Sequence, residues 1–434
     1  MAARRPDSPP SAPDIARIAR IGAEGDGVAT GADGAHLFIP FTLPGETVAV
    51  RRLAKRGDGF AAEAVSILTP SAERVAPPCR HFGTCGGCAL QHWQDAPYRA
   101  WKSGLLTAAL RRAGYDPAPL PLIVTPDATR RRMDFAVRRM GAALRLGLHV
   151  ARGREVVDLQ DCRVLHPTLA ALLAPLRSLL SATAGLRREG SLIANLLDTG
   201  ADLLLRTDAA LIAADRARLA DFARAHGVPR IAWAHGDAPA EIAAQFAPAQ
   251  IRFAGVPVTP PPGAFLQASA EGEAAIVAAV LAALPDRLPP RAKVIELFAG
   301  CGTLSLPLAA LARVAAYEND AASVAALAAA ANHAGLAGRL AVQRRDLARQ
   351  PLSAAELSAA AAVVLDPPHA GAAAQVAQIA ASGVARVIYV SCHPGALTRD
   401  AAVLRGAGYR LLTAQPIDQF RWSARLESVV AFGR

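Results

Sequence analysis

The chain has 434 residues, 52% hydrophobic and 19% charged, so it is too long for one ordinary core and too apolar to be disordered. Its formal net charge of +11 points to a polyanionic partner, but nearly all of its basic residues are Arg in an Ala-crowded sequence, so that support is mild. Its uncharged stretches are too weakly apolar to span a bilayer, and Pro and Asp follow Arg4-Arg5 where a secretory signal would turn hydrophobic. A reducing cytoplasm and a monomer without membrane contact are expected, and the six cysteines there read as ligands or nucleophiles.

Residues 1–12 read as a disordered Pro-rich leader. Runs at 35–39, 47–53 and 61–67, separated by turns such as Gly57-Asp58-Gly59, predict about five short strands and a small barrel of the OB type over 13–72. One hairpin of it carries Arg51, Arg52, Lys55 and Arg56. Next, CRHFGTCGGCALQHW sets Cys79, Cys85 and Cys88 in the pattern C-x5-C-G-G-C. Three close thiolates need a metal or cluster and usually a fourth ligand, for which Cys162 is the best candidate. A four-cysteine zinc site remains open on ligand chemistry, although zinc favours pairs of C-x2-C and the glycines suit backbone amides approaching cluster sulfides. Residues 95–115 predict an amphipathic helix with Tyr98, Trp101, Leu105 and Ala108 on one face and Gly114 near its stop. Arg130, Arg131 and Arg132 then lead into β-rich sequence. There Arg138, Arg139, Arg152 and Arg154 suit a groove that follows a phosphate backbone. Residues 167–250 alternate helices with weak strands, and the Pro-rich 256–263 reads as a boundary.

Beyond the boundary, PGAFLQA contains Gln267 and precedes a helix over 271–284. The stretch 294–308, VIELFAGCGTLSLPL, runs from a β-branched strand with Glu296 near its end into a loop holding Gly300 and Gly302. An apolar helix over 304–311 follows, with Thr303 as its expected N-cap. Strand, glycine turn and helix let a backbone come close to a nucleotide-like ligand at the carboxyl end of a parallel strand. Further strands at 313–318, 340–344, 362–366, 387–391, 409–416 and 428–432 complete a doubly wound α/β domain. Consecutive strand ends supply Glu318, Asp346, Asp366-Pro367-Pro368 and Ser391-Cys392-His393-Pro394, aimed at one crevice and stiffened by proline.

The E-x-x-x-G-x-G pattern resembles the first motif of S-adenosylmethionine-dependent methyltransferases. The basic barrel resembles a TRAM domain, an RNA-binding module, and the cysteine segment with Gln91-His92 resembles the [4Fe–4S] motif of bacterial RNA uracil-5 methyltransferases. Together C-x5-CGGC, FLQ, ELFAGCGTLSLPLA, DPPHAG, SCHPGALTRD and IDQFRWSARLESV fall in the order expected of the class I RNA 5-methyluridine methyltransferases. The ribosomal-RNA branch matches better than the tRNA branch. Departures are His369 for the family's Arg after Asp-Pro-Pro, and His393 for its Asn after Ser-Cys. Arg421-Trp422-Ser423 stands for Pro-His-Thr, and Arg425 for a His before the terminal Glu.

The resemblance implies a Rossmann-like methyltransferase domain at 261–434 and an OB-like TRAM barrel at 13–72. Between them it implies a central α+β iron–sulfur and RNA-binding domain from 73–93 and 125–260, with 94–124 as a helical segment packing on the catalytic domain. It implies methyl transfer from S-adenosylmethionine to carbon 5 of a uridine in RNA, 23S ribosomal RNA favoured over tRNA, through a covalent cysteine–uracil intermediate. Cys392 would be the nucleophile and Glu427 the general base. Gln267, Phe298, Gly300, Gly302, Glu318, Asp346 and Asp366 would hold the cofactor, Asp366 also bonding the edge of the flipped base. Cys79, Cys85, Cys88 and Cys162 would bind a [4Fe–4S] cluster. Two alternatives are weaker: a redox iron–sulfur enzyme would need C-x3-C-x2-C, which is absent, and a non-catalytic RNA-binding protein would not need Cys392 and Glu427.

Overall fold

The computed structural model describes residues 14–141, 143–289 and 291–434, so the Pro-rich leader lies outside the described residues. The chain divides into two compact units. One runs to Gly83 and takes in Cys88–Trp101 and Trp422–Ala424, and the other comprises Thr84–Gly87, Lys102–Arg421 and Arg425–Arg434.

In the first unit β1 (Asp14–Arg17), β2 (Arg20–Ile21), β3 (Gly27–Thr30), β4 (His36–Ile39), β5 (Thr47–Arg56) and β6 (Gly59–Thr69) form one sheet ordered β1-β5-β6-β4-β3-β2. Alternation along the strands turns Leu37, Ile39, Val48, Val50 and Ala62 into a small core. Buried Glu46 accepts from Arg74 Nε at 2.6 Å and Nη2 at 2.9 Å, so its charge is compensated. Arg51, Arg52 and Arg56 of the basic hairpin pair with Glu63, with Asp14 and Asp33, and with Asp26. That leaves the hairpin less positive than its sequence implies. Trp422, at φ 57°, is anchored in this unit: its carbonyl accepts from the amides of Ala89 and Leu90 at 2.8 and 3.0 Å, and its amide donates to Tyr98 Oη at 2.9 Å.

The helix Asp95–Arg112 buries a stripe through Lys102, Leu106, Ala109 and Leu110, leaving the expected Ala108 exposed. It leads to β7 (Ile123–Val124). In the second unit β8 (Arg132–Met140), β9 (Ala143–His149), β10 (Val156–Asp158), β11 (Glu189–Leu197), β12 (Gly200–Thr207), β13 (Arg230–His235) and β14 (Glu241–Gln245) build a sheet ordered β10-β9-β8-β11-β12-β13-β14. Only β12 and β13 run parallel, which requires the crossover helix Ala213–Ala225 between them. Arg139 departs from its expected phosphate-facing role. Its Nη2 donates to the carbonyls of Leu180, Ser181 and Thr183 at 3.0, 3.0 and 3.2 Å, satisfying the open end of the helix Leu173–Ala182.

After the hairpin β15 (Ile251–Phe253) and β16 (Val256–Val258) come β17 (Lys293–Leu297), β18 (Arg313–Glu318), β19 (Leu340–Arg344), β20 (Ala362–Leu365), β21 (Arg386–Ser391), β22 (Arg410–Asp418) and β23 (Glu427–Gly433). With β7 they form a sheet ordered β19-β18-β17-β20-β21-β23-β22-β7. Val294, Ile295, Val363, Val364, Val387 and Ile388 are buried, as expected of strands covered by helices on both faces. Leu106, Leu110 and Tyr115 share one of its cores with Tyr389, Leu397 and Phe432. The chain order reverses at β17, flanked by β18 and β20, and opens a crevice at the carboxyl ends. Every strand runs the same way except β23, which is antiparallel to both β21 and β22. No helix among the described residues is long and apolar enough to cross a membrane.

Candidate active site

The expected helix after the glycine loop begins at Ser305, not at Leu304, and Thr303 does not cap it: Leu304 occupies the cap without a side-chain bond. The strand holds the helix instead, because Ser305 Oγ donates to the buried carboxyl of Glu296. Burial pushes that carboxyl up to about 8. Phe298 and both glycines adopt left-handed φ, 65° at Phe298, 53° at Gly300 and 102° at Gly302. A Cβ at Gly302 would lie 2.4 Å from Leu327 Cδ1, whereas one at Gly300 would meet nothing within 4 Å, so the loop packs tightly on one side and is open on the other. Glu318, at the end of β18, accepts from the amides of Gly300, Asn319 and Asp320 at 2.9, 2.7 and 2.8 Å. A carboxylate has about four lone-pair sites, so it keeps capacity for a ligand hydroxyl. An open backbone cradle beside a braced acid fits a nucleoside-bearing cofactor. Asp346 lies two residues past β19, and its Oδ1 accepts from the amides of Ala348 and Arg349 at 3.1 and 3.2 Å, bracing its own turn. Cys301 is buried with its sulfur 3.6 Å from Ser323 Oγ, a packing residue of the loop.

At the end of β20, Asp366 Oδ2 accepts from Gln267 Nε2 at 3.0 Å, and burial pushes its carboxyl up to about 7. The reversed strand supplies the other half. The antiparallel ladder pairs Ser391 with Ser428, and one residue further the register sets Cys392, just past β21, opposite Glu427, the first residue of β23. Burial, then the charges of Glu427 and Asp366, push the Cys392 thiol up to about 11, while Arg425 pulls the other way. Glu427 is buried and raised well above an ordinary carboxyl by that burial and by Asp366. Its Oε2 accepts from Gln419 Nε2 at 2.9 Å, and its buried Oε1 has no hydrogen-bond partner. The structure thus brings Gln267, Asp366, Cys392 and Glu427 together, with the glycine loop and Glu318 on neighbouring strand ends.

Sequence reasoning missed three supports of this site. Gln419 bridges Glu427 and Gln267, donating to Gln267 Oε1 at 2.8 Å. Lys102 and Asp418 form a fully buried ion pair at 2.8 Å, and the ammonium also donates to the carbonyls of Phe420, at 3.3 Å, and Arg425. A lone lysine at helical spacing between Tyr98 and Leu106 was the available signal for it. Asp400 Oδ2 accepts from Tyr389 Oη at 2.6 Å and from the amide of Ala372 at 2.8 Å, tying down the loop after Asp366. The two histidine departures also meet: His369 and His393 stack at 4.0 Å, and His393 Nδ1 accepts from the amide of Ala396 at 3.3 Å as the cap of the helix Pro394–Gly406.

The proposed cluster ligands receive no such support. Cys79, Cys85, Cys88 and Cys162 are each half-buried, Cys79 and Cys88 in the first unit and Cys85 and Cys162 in the second. Among the described residues no group of three or more His, Cys, Asp or Glu side chains is arranged to hold a metal ion. Four thiolates have the donor chemistry of a cluster site.

The family model described as tRNA (Uracil-5-)-methyltransferase matches residues 261–434. An uncharacterized RNA methyltransferase of Brucella suis is 41% identical over 412 residues, covering 95% of this chain and 96% of its own. The 23S rRNA (uracil(1939)-C(5))-methyltransferase RlmD of Halomonas elongata is 36% identical over 438 residues, covering 94% and 86%. The crystal structure of a Pyrococcus abyssi tRNA (uracil-54, C5)-methyltransferase with S-adenosyl-L-homocysteine superposes with a TM-score of 0.71 at 16% identity, over 96% of this chain and 100% of that one, a likeness of fold. The chain belongs to the RNA (uracil-5-)-methyltransferase family, the enzymes that methylate carbon 5 of uracil in RNA with S-adenosylmethionine.

Proposed function

We propose that this enzyme methylates a uridine of 23S ribosomal RNA through a covalent adduct with Cys392, and that Glu427 removes the proton that adduct must lose. The observation that carries the proposal is the pairing of a strand-end thiol with a buried carboxylate whose Oε1 is unpartnered. The ribosomal substrate is supported by the full-length similarity to the Halomonas elongata enzyme, and by a cysteine pattern that resembles the ribosomal branch.

Carbon 5 of uracil is a weak nucleophile. Cys392, its proton lost to solvent, adds to carbon 6 and leaves an enolate nucleophilic at carbon 5. S-adenosylmethionine supplies an electrophilic methyl group on a sulfonium. Glu427 Oε1 then takes the carbon-5 proton, and collapse of the re-formed enolate expels the Cys392 thiolate. Asp366 faces both carboxylate and thiol, where a carboxyl raised to about 7 can bond the uracil edge. Gln267, Phe298, Gly300, Gly302 and Glu318 form the cofactor side, and Asp346 shapes the turn beside them. The cluster at Cys79, Cys85, Cys88 and Cys162, the TRAM role of 13–72, the RNA-binding role of 73–93 and 125–260, the cytoplasmic setting and the monomeric state belong to the same reading, supported by sequence pattern. No chemical step passes through the cluster.

The test is adduct trapping. With 23S rRNA fragments and methyl-labelled cofactor, Glu427→Gln should accumulate a slow, labelled protein–RNA band on denaturing gels, because methylation precedes proton removal. Replacing Cys392 by Ala in the same background should erase it. Normal turnover by Glu427→Gln, or a band that survives loss of Cys392, overturns the mechanism; labelling of tRNA with rRNA left unlabelled overturns the substrate.

A further inference from the structure

The mechanism needs one oxygen of Glu427 to be free, and the structure holds a device that decides which one. Gln419, 4% exposed, lies just past the end of β22, between Asp418 and Phe420. Its amide orientation is fixed by chemistry. The backbone N–H of Ala268 can only donate, and it points at the Gln419 side chain from 3.1 Å, so the atom facing it is Oε1. Nε2 must then lie on the other side, where it donates one hydrogen to Gln267 Oε1 at 2.8 Å and the other to Glu427 Oε2 at 2.9 Å. Gln267 is oriented in turn and donates to Asp366. The opposing helix makes room for the bridge: a Cβ on Gly272, within the helix Ala270–Ala282, would lie 2.7 Å from both Gln419 Cβ and Oε1. Glycine is a weaker helix former than alanine, so the space is kept at some expense to the helix.

We propose that Gln419 is a positioning residue that divides the labour between the oxygens of Glu427, tethering Oε2 so that Oε1 is the proton acceptor. The inference rests on the assignment of Glu427 as the base. A carboxylate free to rotate would present either oxygen, or turn both toward Asp366; the tether fixes the orientation and, by donating to the ionised form, favours the basic state. Asp366 and Cys392 face the same carboxyl and the backbone N–H of Ser428 also bonds it, while replacing Gln419 additionally frees Gln267, whose own bond to Asp366 remains available.

The experiment follows single turnovers of the full-length enzyme with RNA and methyl-labelled cofactor. Gln419→Met keeps the length and removes the donor. Methyl label should still reach RNA, but release of methylated RNA from the adduct should slow roughly tenfold or more. Loss of the donor also raises the carboxyl, so the acid limb of the release step should move to higher pH. Gln419→Glu, which has nearly the same shape, should move that limb further, since it sets another carboxylate against Glu427. Its circular dichroism and cofactor binding report whether the site still folds. Wild-type release by both variants, with Glu427→Gln still trapping adduct, overturns the inference and leaves the base assignment standing. Loss of methyl transfer without adduct in a folded variant overturns it too, since Gln419 would then act before methylation. Normal turnover by Glu427→Gln removes the base assignment itself.

Discussion

Replacing Lys102 by Met should loosen the segment that carries Gln419 and Glu427, by an amount the structure allows to be worked out. Lys102 and Asp418 are both 0% exposed, 2.8 Å apart, and the ammonium also serves the carbonyls of Phe420 and Arg425. Burial disfavours the lysine charge and holds its pKa below the usual lysine value, and Asp418 offsets part of that cost. Breaking a buried ion pair by removing one partner costs about 3–5 kcal/mol. At 1.36 kcal/mol per decade this is roughly a hundred- to several-thousand-fold loss of protection. Amide hydrogen exchange read by mass spectrometry should show that loss in β22 and at the start of β23, with little change in β1 to β6. Replacing both partners, Lys102→Met with Asp418→Leu, should restore most of it, because an apolar pair of similar volume is often neutral or better. Unchanged exchange in Lys102→Met, or no recovery in the double variant, would refute the reasoning that the ion pair holds this segment.

Other expectations follow from the same geometry. Glu318→Ala should weaken cofactor binding by calorimetry, since the glycine loop loses its anchor, while Cys392→Ala should bind nearly as wild type yet transfer no methyl group; equal losses would mean the roles are wrongly divided. Gly302→Ala should destabilise the loop by about 1–3 kcal/mol through its positive φ and the clash with Leu327, seen as a lower unfolding temperature that saturating cofactor partly restores. Cys392, with its thiol near 11, should be alkylated slowly at pH 8, and Glu427→Gln should speed it by removing a neighbouring negative charge. Asp366 is raised from 3.8 to about 7, so the folded protein holds a proton that the unfolded chain releases, and stability falls as pH rises through that window. Asp366→Asn should flatten that slope in denaturant titrations.

Most of the catalytic domain was legible because its signals are local. Apolar β-branched runs separated by Ala-rich helical stretches predicted the strands, and 340–344 was placed to the residue. Gly300 and Gly302 announced the loop because both take positive φ, and Gly302 is also packed closely on Leu327. Polar residues at successive strand ends announced the crevice. The basic stretches were less informative, because charge in a sequence says nothing of its partner. Arg51, Arg52 and Arg56 turned out to be paired with acids, and Arg139 to cap a helix.

What stayed hidden depends on strand direction, which no residue pattern states. The run at 428–432 reads the same whether β23 is parallel or reversed, yet the two arrangements have opposite chemistry. In a fully parallel sheet the first residue of β23 would lie at the amino edge, a strand's length from Cys392. Six residues at about 3.3 Å each would separate the thiol from its base by nearly 20 Å. Reversal brings the start of β23 to the carboxyl edge and puts Glu427 beside Cys392. The same reversal lets β22 end next to where β23 begins, so Gln419, just past one strand, can reach Glu427 at the head of the other. Only eight positions of sequence separate them, but what brings them together is the turn clamped by Lys102, more than three hundred residues earlier in the chain. Strand direction, and not the residues that stand at 369, 393 or 425, therefore keeps the nucleophile and base in place, and the exchange experiment on Lys102 tests whether the clamp holds the turn that makes this possible.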